Sequence, residues 1–352
     1  MAARSKSKVQ KLGVGIVGVG IGHLHMQGYA QCPDAQVLAV CDVNEERARR
    51  VAAECGVPHV FTDYEKMLKL DGIDAVSICT PNYLHAPMTM AAFGAGKHVI
   101  CEKPLAMTPE EGEAMVAAGK KAGKLFMTAF NNRFRGDTQV LRKFIEKGEL
   151  GDIYYAKTGW IRRKGIPGMG SWFTTKSQAG GGPLIDIGVH VLDLALWLMG
   201  NPKAVTVTGS AYAKFGPKGE GRGGWGVPEK GGFDVEDLAA AFIRLDTGAT
   251  VLLEASWASH IQCDVIYTNL VGTKGGADLD PLRIYRDMHG APVDITPGFP
   301  NQSGHIMEIK HFVDCIVNGT ELISTGEHGL EITRILDAIY KSAETGKEIA
   351  LR

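Results

Sequence analysis

Short runs of apolar, mostly β-branched residues alternate with longer amphipathic stretches along the first third of the chain. The apolar runs predict parallel strands, because strands buried on both faces lack the polar alternation of half-exposed ones. The stretches between them predict helices that cover both faces of the sheet. Strands are expected at 12–17, 37–41, 75–79, 98–101 and 125–129, and helices at 22–31, 44–54, 85–93 and 109–122. This part of the chain is therefore predicted to be an α/β Rossmann-type domain with a right-handed, doubly wound parallel sheet.

The pattern changes beyond about residue 150. Alternating apolar and polar residues predict strands at 153–161, 204–212, 238–245, 250–257 and 264–271, with helices at 184–199, 306–317 and 330–345. Turn residues at 246–248 separate two of these strands, which favours antiparallel hairpins. We therefore predict two domains. Residues 1–130 form the first, and residues 131–352 form an α+β domain with a large, mostly antiparallel open sheet whose last helices can pack back on the first domain.

Composition and charge narrow the class of protein. The 352 residues are enough for two buried cores. Lys and Arg number 38 against 39 Asp and Glu, so the net charge of -1 gives no sign of a nucleic-acid or membrane partner. The basic segment 1–11 lacks the apolar run of a signal peptide and is predicted to be a disordered lead-in, and no run approaches the ~20 apolar residues of a membrane span. Seven cysteines without a CxxC pair indicate neither a disulfide framework nor a metal site, and a cytoplasmic location is expected.

Glycine is enriched, at 45 of 352 residues, and it clusters. A GxGxxG match at 13–18 lies inside the first predicted strand, where no phosphate reaches the backbone. The turn with Gly18, Gly20, Ile21 and Gly22 follows that strand directly and begins a helix, where free N–H groups and the helix dipole can hold a pyrophosphate. His23 stands where a third Gly or Ala is expected, and Gly22 can take over that packing position in a shifted register.

Polar residues at the ends of the next strands extend this predicted dinucleotide site. Asp42 ends the second strand about 20 residues after Gly20, where a carboxylate accepts ribose hydroxyls and repels a 2′-phosphate, so NAD is favoured. Arg47 leaves NADP open as an alternative, and Asp42 as a simple helix cap is the other reading. Ligands bind at the carboxyl ends of parallel strands, so further residues after later strands are expected in the same crevice: Thr80, Asn82, His85, Glu102 and Lys103. The long segment 214–232, rich in glycine, proline and charge, is predicted to be a surface loop.

Two motifs make the sequence resemble the Gfo/Idh/MocA family, the glucose–fructose oxidoreductase and inositol dehydrogenase group. They are Glu102-Lys103-Pro104 and the run GGGPLIDIGVHVLD at 180–193, with Thr80-Pro81-Asn82 and Asn132-Arg133-Phe134 as further matching segments. The resemblance covers nearly the whole chain. It implies a Rossmann domain followed by a domain whose open sheet packs against other subunits, in a homotetramer or homodimer. It also implies a catalytic group of Lys103, Asp186 and His190, with Glu102 and Lys103 bordering the nicotinamide.

The residue types in this group suit the oxidation of a secondary alcohol. Asp186 and His190 are four positions apart on a predicted helix and so share a face. Such oxidation requires a base for the hydroxyl proton, and a histidine with an ordinary pKa of ~6.5 can serve near neutral pH. Lys103 would stabilise negative charge on the reacting oxygen, and Asp186 would orient the sugar or tune His190. The alternative is that Asp186 caps the helix and His190 is a core histidine.

The residues expected to contact substrate are Asn132, Arg133, Arg163, Trp172, Asp186 and His190. Arg163 can bind an anionic group or simply end a strand in solvent, and Trp172 can stack on a sugar ring. Glu236 and Asp237 are interpreted as the start of a strand rather than an acid/base pair. Asn301, His305 and Glu308 begin a late helix and receive no role. The predicted protein is an NAD-dependent dehydrogenase of a sugar, cyclitol or sugar derivative; the alternatives are a redox-neutral enzyme that recycles NAD and a non-catalytic NAD-binding regulator.

Overall fold

The structure is a computed structural model that describes residues 11–351, so the predicted lead-in lies outside the described residues except for Lys11. Its first sheet contains β1 (Leu12–Val17), β2 (Ala35–Cys41), β3 (His59–Phe61), β4 (Ala75–Ile78), β5 (His98–Cys101) and β6 (Phe126–Thr128). The helices of this part are α1 (Val19–Tyr29), α2 (Glu45–Cys55), α3 (Tyr64–Leu68), α4 (His85–Gly94) and α5 (Pro109–Ala122). The six strands pair in parallel in the order β3-β2-β1-β4-β5-β6, which creates a crevice where the order reverses beside β1.

The glycines inside β1 serve packing. A Cβ on Gly13 would collide with the carbonyl group of Gly72, and one on Gly15 would lie 2.8 Å from the methyl carbon of Met67. Both positions are fully enclosed by the sheet and its covering segments. The GxGxxG match at 13–18 is therefore not the phosphate-binding turn.

The second part of the chain contains the helices α6 (Gly136–Glu146), α7 (Lys176–Ala179), α8 (Val189–Leu198), α9 (Gly304–Asn318) and α10 (Gly326–Thr345). Its strands are β7 (Ile153–Ile161), β8 (Ala204–Tyr212), β9 (Leu238–Leu245), β10 (Thr250–Ser256), β11 (Val265–Gly272), β12 (Gly276–Leu279), β13 (Arg283–Met288), β14 (Ala291–Ile295) and β15 (Ile349–Ala350). These nine strands form one sheet in the order β14-β13-β12-β11-β7-β10-β9-β8-β15, antiparallel except between β7 and β10. One face packs on α8 and α10. The predicted fold class is confirmed.

Several elements were absent from the sequence prediction: β3, α3, α6, α7, the strands β12–β15 and the π-helical turn Leu184–Gly188 that precedes α8. Most of them are short. α3 has five residues and β3 has three, which is too few to show a helical or strand periodicity of apolar residues. The π-helical turn replaces the first turn of the expected 184–199 helix. Wide turns of this kind occur often at functional sites.

The last two helices connect the two sheets. Ile309 and Phe312 of α9 belong to the same apolar cluster as Val14 and Ile16 of β1. α10 contacts α5 in the first part and β8 in the second. The late helices therefore pack on both parts of the chain. The domain boundary near residue 130 stays a prediction.

One helical segment, 176–198, contains an 18-residue window apolar enough by composition to cross a membrane. In this fold 89% of that window is buried. The segment supplies α8, which forms part of the core beneath the large sheet.

Candidate active site

Lys103 and Asp186 join the two domains through an ion pair. Lys103 follows β5, and its Nζ donates hydrogen bonds to the carbonyl oxygen of Asp186 at 2.8 Å and to Oδ1 at 3.2 Å. The other carboxylate oxygen, Oδ2, accepts a hydrogen bond of 3.0 Å from the indole N–H of Trp257, which follows β10. Burial raises the pKa of Asp186, but the charges of Lys103 and Arg162 and the bond from Trp257 outweigh it and lower the pKa. The carboxylate is therefore ionised and held from two sides.

His190 lies four residues after Asp186, in the first turn of α8. Its Nδ1 is buried and has no hydrogen-bond partner among the described residues. Burial and the charge of Lys103 lower the pKa of His190 to about 3. The expected pKa of ~6.5 is thus wrong for this environment. The imidazole is neutral at neutral pH, which is the form that a base requires, but the low pKa also makes it a weaker proton acceptor than an ordinary histidine.

A buried carboxylate from the segment before β9 fixes the start of this helical segment. Glu236 accepts hydrogen bonds from the backbone N–H groups of Gly182 (2.9 Å) and Leu184 (3.1 Å), and from the Tyr340 hydroxyl (2.9 Å). Burial raises the pKa of Glu236 in spite of these bonds. Glu236 therefore acts as a cap supplied from a segment that is distant along the chain. Its neighbour Asp237 accepts from three consecutive backbone N–H groups, at 214–216, and anchors the start of the long loop.

The glycine turn after β1 has the shape that a phosphate site requires. Gly18 has a φ of 86°, and a Cβ there would collide with the carbonyl oxygen of Cys79. Gly20 is exposed at the start of α1, and a Cβ there would meet nothing within 4 Å. A Cβ on Gly22 would lie 2.9 Å from Ile16 Cγ2, so Gly22 provides the close helix–strand approach that His23 cannot. His23 is exposed, with Nδ1 2.6 Å from the Gly20 carbonyl oxygen.

Asp42 lies buried at the end of β2, beside this turn. Its Oδ2 accepts from the Val19 N–H at 3.1 Å, and its Oδ1 accepts from the Asn44 N–H at 2.9 Å and from Arg47 at 2.6 Å. Asn44, and not Asp42, caps α2 through a 2.9 Å bond from the Arg47 N–H. The helix-cap interpretation of Asp42 is therefore wrong, and Arg47, the residue that left NADP open, is paired with the Asp42 carboxylate.

Of the polar residues described after β4, one has an unpaired side chain and two are hydrogen-bonded to protein carbonyl oxygens. Thr80 Oγ1 is buried and has no partner in the described part of the chain, as suits a group that meets a ligand. Asn82 donates to the Ala179 carbonyl oxygen at 2.7 Å, which ties the crevice to the second domain. His85 is fully buried, with its ring nitrogens 2.7 Å from the Pro104 carbonyl oxygen and 2.9 Å from that of Thr80. Direct cofactor contact by His85 therefore does not fit, since the ring is enclosed between two turns; burial lowers the pKa of His85, and the neutral ring donates to one of the two carbonyl oxygens.

Of the two arginines predicted to contact substrate, one is buried and the other is exposed. Arg133 is in the core, where it donates to both carboxylate oxygens of Asp193 at 2.9 and 2.6 Å, so its expected contact with substrate does not fit. Arg163 is exposed and donates to the Gln262 carbonyl oxygen at 2.8 Å. Its neighbour Arg162 is the arginine whose charge acts on Asp186. The sequence pattern did not show which of the two adjacent arginines lies near Asp186.

Aromatic rings gather beside the long loop. Trp172 stacks on Phe173 with 3.8 Å between ring centroids, and Phe173 meets Trp225 edge-on at 4.9 Å. Trp225 belongs to the predicted loop 214–232, which is irregular apart from a short 3-10 turn at Gly216–Lys218 and is hydrogen-bonded to the segment that precedes Trp172. Asn132 is half-buried in the 3-10 turn Asn131–Phe134.

The sheet order, the glycine turn at the start of α1 and the Lys103–Asp186 pair at the crevice define a two-domain, dinucleotide-dependent oxidoreductase. The chain belongs to the Gfo/Idh/MocA family: residues 12–130 match the model of an oxidoreductase family with an NAD-binding Rossmann fold, and residues 138–278 match the model of the family's C-terminal domain. The resemblance inferred from the motifs is confirmed. NAD is the cofactor of this fold.

Relatives of this chain include sugar and inositol dehydrogenases. D-glucoside 3-dehydrogenase of Escherichia coli is 35% identical over 344 residues, which cover 97% of each chain. Levoglucosan dehydrogenase of Pseudarthrobacter phenanthrenivorans is 31% identical and covers 95% of this chain and 97% of that one. A solved levoglucosan dehydrogenase in complex with NADH and levoglucosan superposes with a TM-score of 0.86 at 29% identity, covering 97% and 99% of the two chains. The chain is an NAD-dependent oxidoreductase of the type to which these sugar and polyol dehydrogenases belong.

Proposed function

We propose that the protein oxidises a secondary alcohol of a sugar, cyclitol or glycoside with NAD. The carrying observation is the Lys103–Asp186 pair with the neutral imidazole of His190 nearby, at the carboxyl end of β5 in the dinucleotide crevice. The substrate class is supported by the relatives, whose names include D-glucoside, levoglucosan and scyllo-inositol dehydrogenases.

The residues present fit the cofactor. The N–H groups at the start of α1, opened by Gly18 and Gly20, would hold the pyrophosphate, and Asp42 would accept the ribose hydroxyls. Thr80, with its unpartnered hydroxyl, and Lys103 would border the nicotinamide. Bound NAD supplies the acceptor for a hydride from the substrate carbon.

The chain's own groups handle the proton and the charge. His190 accepts the hydroxyl proton as the oxygen becomes a carbonyl oxygen. The Lys103 ammonium stabilises negative charge on that oxygen in the transition state. Asp186 keeps the ammonium in place and accepts a hydrogen bond from an adjacent hydroxyl, while Trp257 and Glu236 hold Asp186 and its helical turn as positioning residues.

The direct test is a substrate panel. Purified protein is mixed with NAD, and separately NADP, against inositols, aldoses, sugar acids and glycosides, while NADH absorbance and sugar products are followed together. We expect NADH to accumulate with one substrate class, and faster turnover with NAD than with NADP because the Asp42 carboxylate repels a 2′-phosphate. If a sugar is converted or a glycoside is cleaved and no NADH accumulates, the protein is the redox-neutral enzyme and not a dehydrogenase. No conversion of any member would contradict the proposal.

We further propose that the outer face of the large sheet joins copies of this chain. The strand register places Tyr155, Phe242, Leu252 and Val271 on that face, opposite the side that packs on α8 and α10. The charged side chains Lys157, Arg244 and Glu254 lie on the same face, so the apolar residues form a patch among charged ones. An exposed apolar patch rimmed by polar residues is typical of a protein–protein interface. The cytoplasmic location expected from the sequence stays a prediction.

Replacing Leu252 with arginine should dissociate the oligomer, because each copy would add a positive charge at the interface beside Lys157, the register partner of Leu252. Light scattering on the intact protein measures the mass. The control is Met90→Arg, which adds the same charge at an exposed apolar side chain of α4 in the first domain and should leave the mass unchanged. A monomeric wild type, or an unchanged Leu252→Arg oligomer, would contradict the assignment of this face.

A further inference from the structure

Three aromatic side chains form a partly exposed cluster at the long loop 214–232. Trp172 stacks on Phe173 with 3.8 Å between ring centroids, and Trp225 meets Phe173 edge-on at 4.9 Å. Trp172 and Phe173 are half-buried, whereas Trp225 is 59% exposed. We call these three side chains the aromatic platform. A group of large apolar side chains at the surface, unlike a single one, is typical of a ligand-binding or interaction site.

The backbone on both sides of Trp225 is fixed against a neighbouring segment. The Trp225 carbonyl oxygen accepts a hydrogen bond of 2.9 Å from the Gly168 N–H. A Cβ on Gly223 would lie 2.8 Å from the Cα of Gly165, and one on Gly226 would lie 2.8 Å from the backbone nitrogen of Gly168. Only residues without a side chain let two backbones approach so closely. The indole ring is thus carried at a fixed position while more than half of its surface faces solvent.

The platform is built on the same apolar cluster as the residues around Asp186. Ile166 and Met169, which flank the glycine that binds the loop backbone, pack in one cluster with Ile187 and Trp257. Ile187 follows Asp186 directly, and the Trp257 indole N–H donates to Asp186 Oδ2 at 3.0 Å. The segment that fixes Trp225 therefore also packs against the residues that hold the catalytic carboxylate.

A second connection runs from the platform to the dinucleotide crevice. Trp172 and Phe173 lie in a 3-10 turn, and α7 follows this turn. The carbonyl oxygen of Ala179, at the end of α7, accepts a 2.7 Å hydrogen bond from Asn82, which lies after β4. From Ala179 the chain runs on to the π-helical turn that contains Asp186. Two short routes through the packed structure thus join the platform to the site of the proposed hydride transfer.

Rings with an apolar face are the ligands that fit this surface. Trp and Phe offer a rigid apolar face with few hydrogen-bonding groups, so they suit an aryl ring or the C–H face of a sugar ring. The loop that carries Trp225 also exposes the charged side chains of Arg222, Glu229 and Lys230. The cores of protein–protein interfaces are depleted of charged residues. A single ring of a small ligand is therefore favoured over a protein surface as the occupant of the platform.

We propose that the aromatic platform is a second binding subsite, which holds the ring on the far side of the glycosidic bond while the first sugar ring is oxidised beside His190. The favoured substrates are then glycosides whose second group is a sugar ring or an aryl ring. Free sugars and methyl glycosides are bound without help from the platform. The platform takes no part in hydride or proton transfer. This inference rests on the proposed function and narrows its substrate class.

The test compares KM and kcat for methyl glucoside, phenyl glucoside and a glucose disaccharide with NAD. The wild type should have a KM for phenyl glucoside, for the disaccharide or for both that is about 3–10-fold below that for methyl glucoside, at a similar kcat. Trp225→Ala should remove this advantage and leave kcat and the KM for methyl glucoside unchanged, because stacking contributes equally to the ground state and the transition state. Trp225→Phe should keep most of the advantage.

The control is Phe299→Ala, which removes an aromatic side chain that is 48% exposed in the segment before α9 and should leave all these constants unchanged. A preference for two-ring substrates that survives in Trp225→Ala would overturn the proposal. An equal loss on methyl glucoside would also overturn it, as would a wild type that oxidises cyclitols and no glycoside. If Trp225→Ala changes the oligomer mass in light scattering, the platform is a contact between copies of the chain and not a subsite.

A second readout needs no turnover. NADH cannot accept a hydride, so calorimetry on the protein saturated with NADH measures glycoside binding alone. We expect phenyl glucoside or the disaccharide to bind the wild type about 3–10-fold more tightly than methyl glucoside does, and Trp225→Ala to bind all three alike. Equal affinities in the wild type would overturn the proposal. If the wild type oxidises no alcohol, the proposed function fails, while this comparison still decides whether the platform binds a ring.

Discussion

Replacing His190 with alanine should lower kcat for alcohol oxidation about 10²–10⁴-fold while leaving the Kd for NAD nearly unchanged. The imidazole is neutral at working pH and is the group assigned to the hydroxyl proton, so its loss removes the base without touching the glycine turn or Asp42. Steady-state kinetics gives kcat, and the fluorescence of bound NADH gives cofactor affinity.

The control for this variant is His260→Ala, which removes an exposed histidine of the second domain. It should retain wild-type kcat. A His190→Ala enzyme with wild-type turnover would show that another group is the base. A variant that loses NAD binding together with kcat would indicate instead that the helix start had moved, a change that the melting temperature detects.

The sequence predicted the framework of the fold because its strands carry strong, simple patterns. The bounds of β5, β7, β8 and β9 agree with the predicted ranges, since each strand is either apolar throughout or alternates along its length. The strands β12–β14 were missed because a meander at the edge of a sheet is half-exposed and mixes charges with apolar residues. Tertiary pairing, and not local pattern, makes them strands.

The sequence predicted the site residues that lie in recognisable motifs. It did not predict the residues, distant along the chain, that hold them in place. Lys103 and Asp186, named from two separate motifs, are in direct contact in the structure. Trp257 and Glu236, which hold Asp186 and its turn, are 71 and 52 residues away along the chain from the groups that they bind at positions 186 and 184. A single sequence contains no signal for such pairs.

Motifs also do not reveal whether a side chain faces a ligand or the core. Arg133 belongs to a segment that matches the family and His85 follows another, Thr80-Pro81-Asn82; both side chains are fully enclosed with protein partners. Burial decides their role, and burial depends on the whole fold. The two residues therefore support the site from within, whereas Thr80 in the same crevice keeps an unpartnered hydroxyl.

Replacing Arg133 with methionine should destabilise the protein by about 3–5 kcal/mol at neutral pH, because the carboxylate of Asp193 would remain buried without its partner. Arg133 also donates to the Ile323 carbonyl oxygen at 2.6 Å, which connects the turn Asn131–Phe134 to the segment before α10. Burial raises the pKa of Asp193 even beside Arg133, so without the guanidinium its pKa should rise further. Denaturant unfolding measures the loss of free energy.

The sign of the pH dependence separates a broken ion pair from a packing defect. A carboxyl group whose folded-state pKa is raised favours folding when protonated, so the Arg133→Met variant should lose less stability at pH 5 than at pH 7. The double variant Arg133→Met with Asp193→Leu should recover part of the loss, because no buried charge remains. The control Arg163→Met, at an exposed arginine, should change stability by less than about 0.5 kcal/mol. An Arg133→Met enzyme with unchanged stability and a raised KM would instead indicate that Arg133 contacts the substrate.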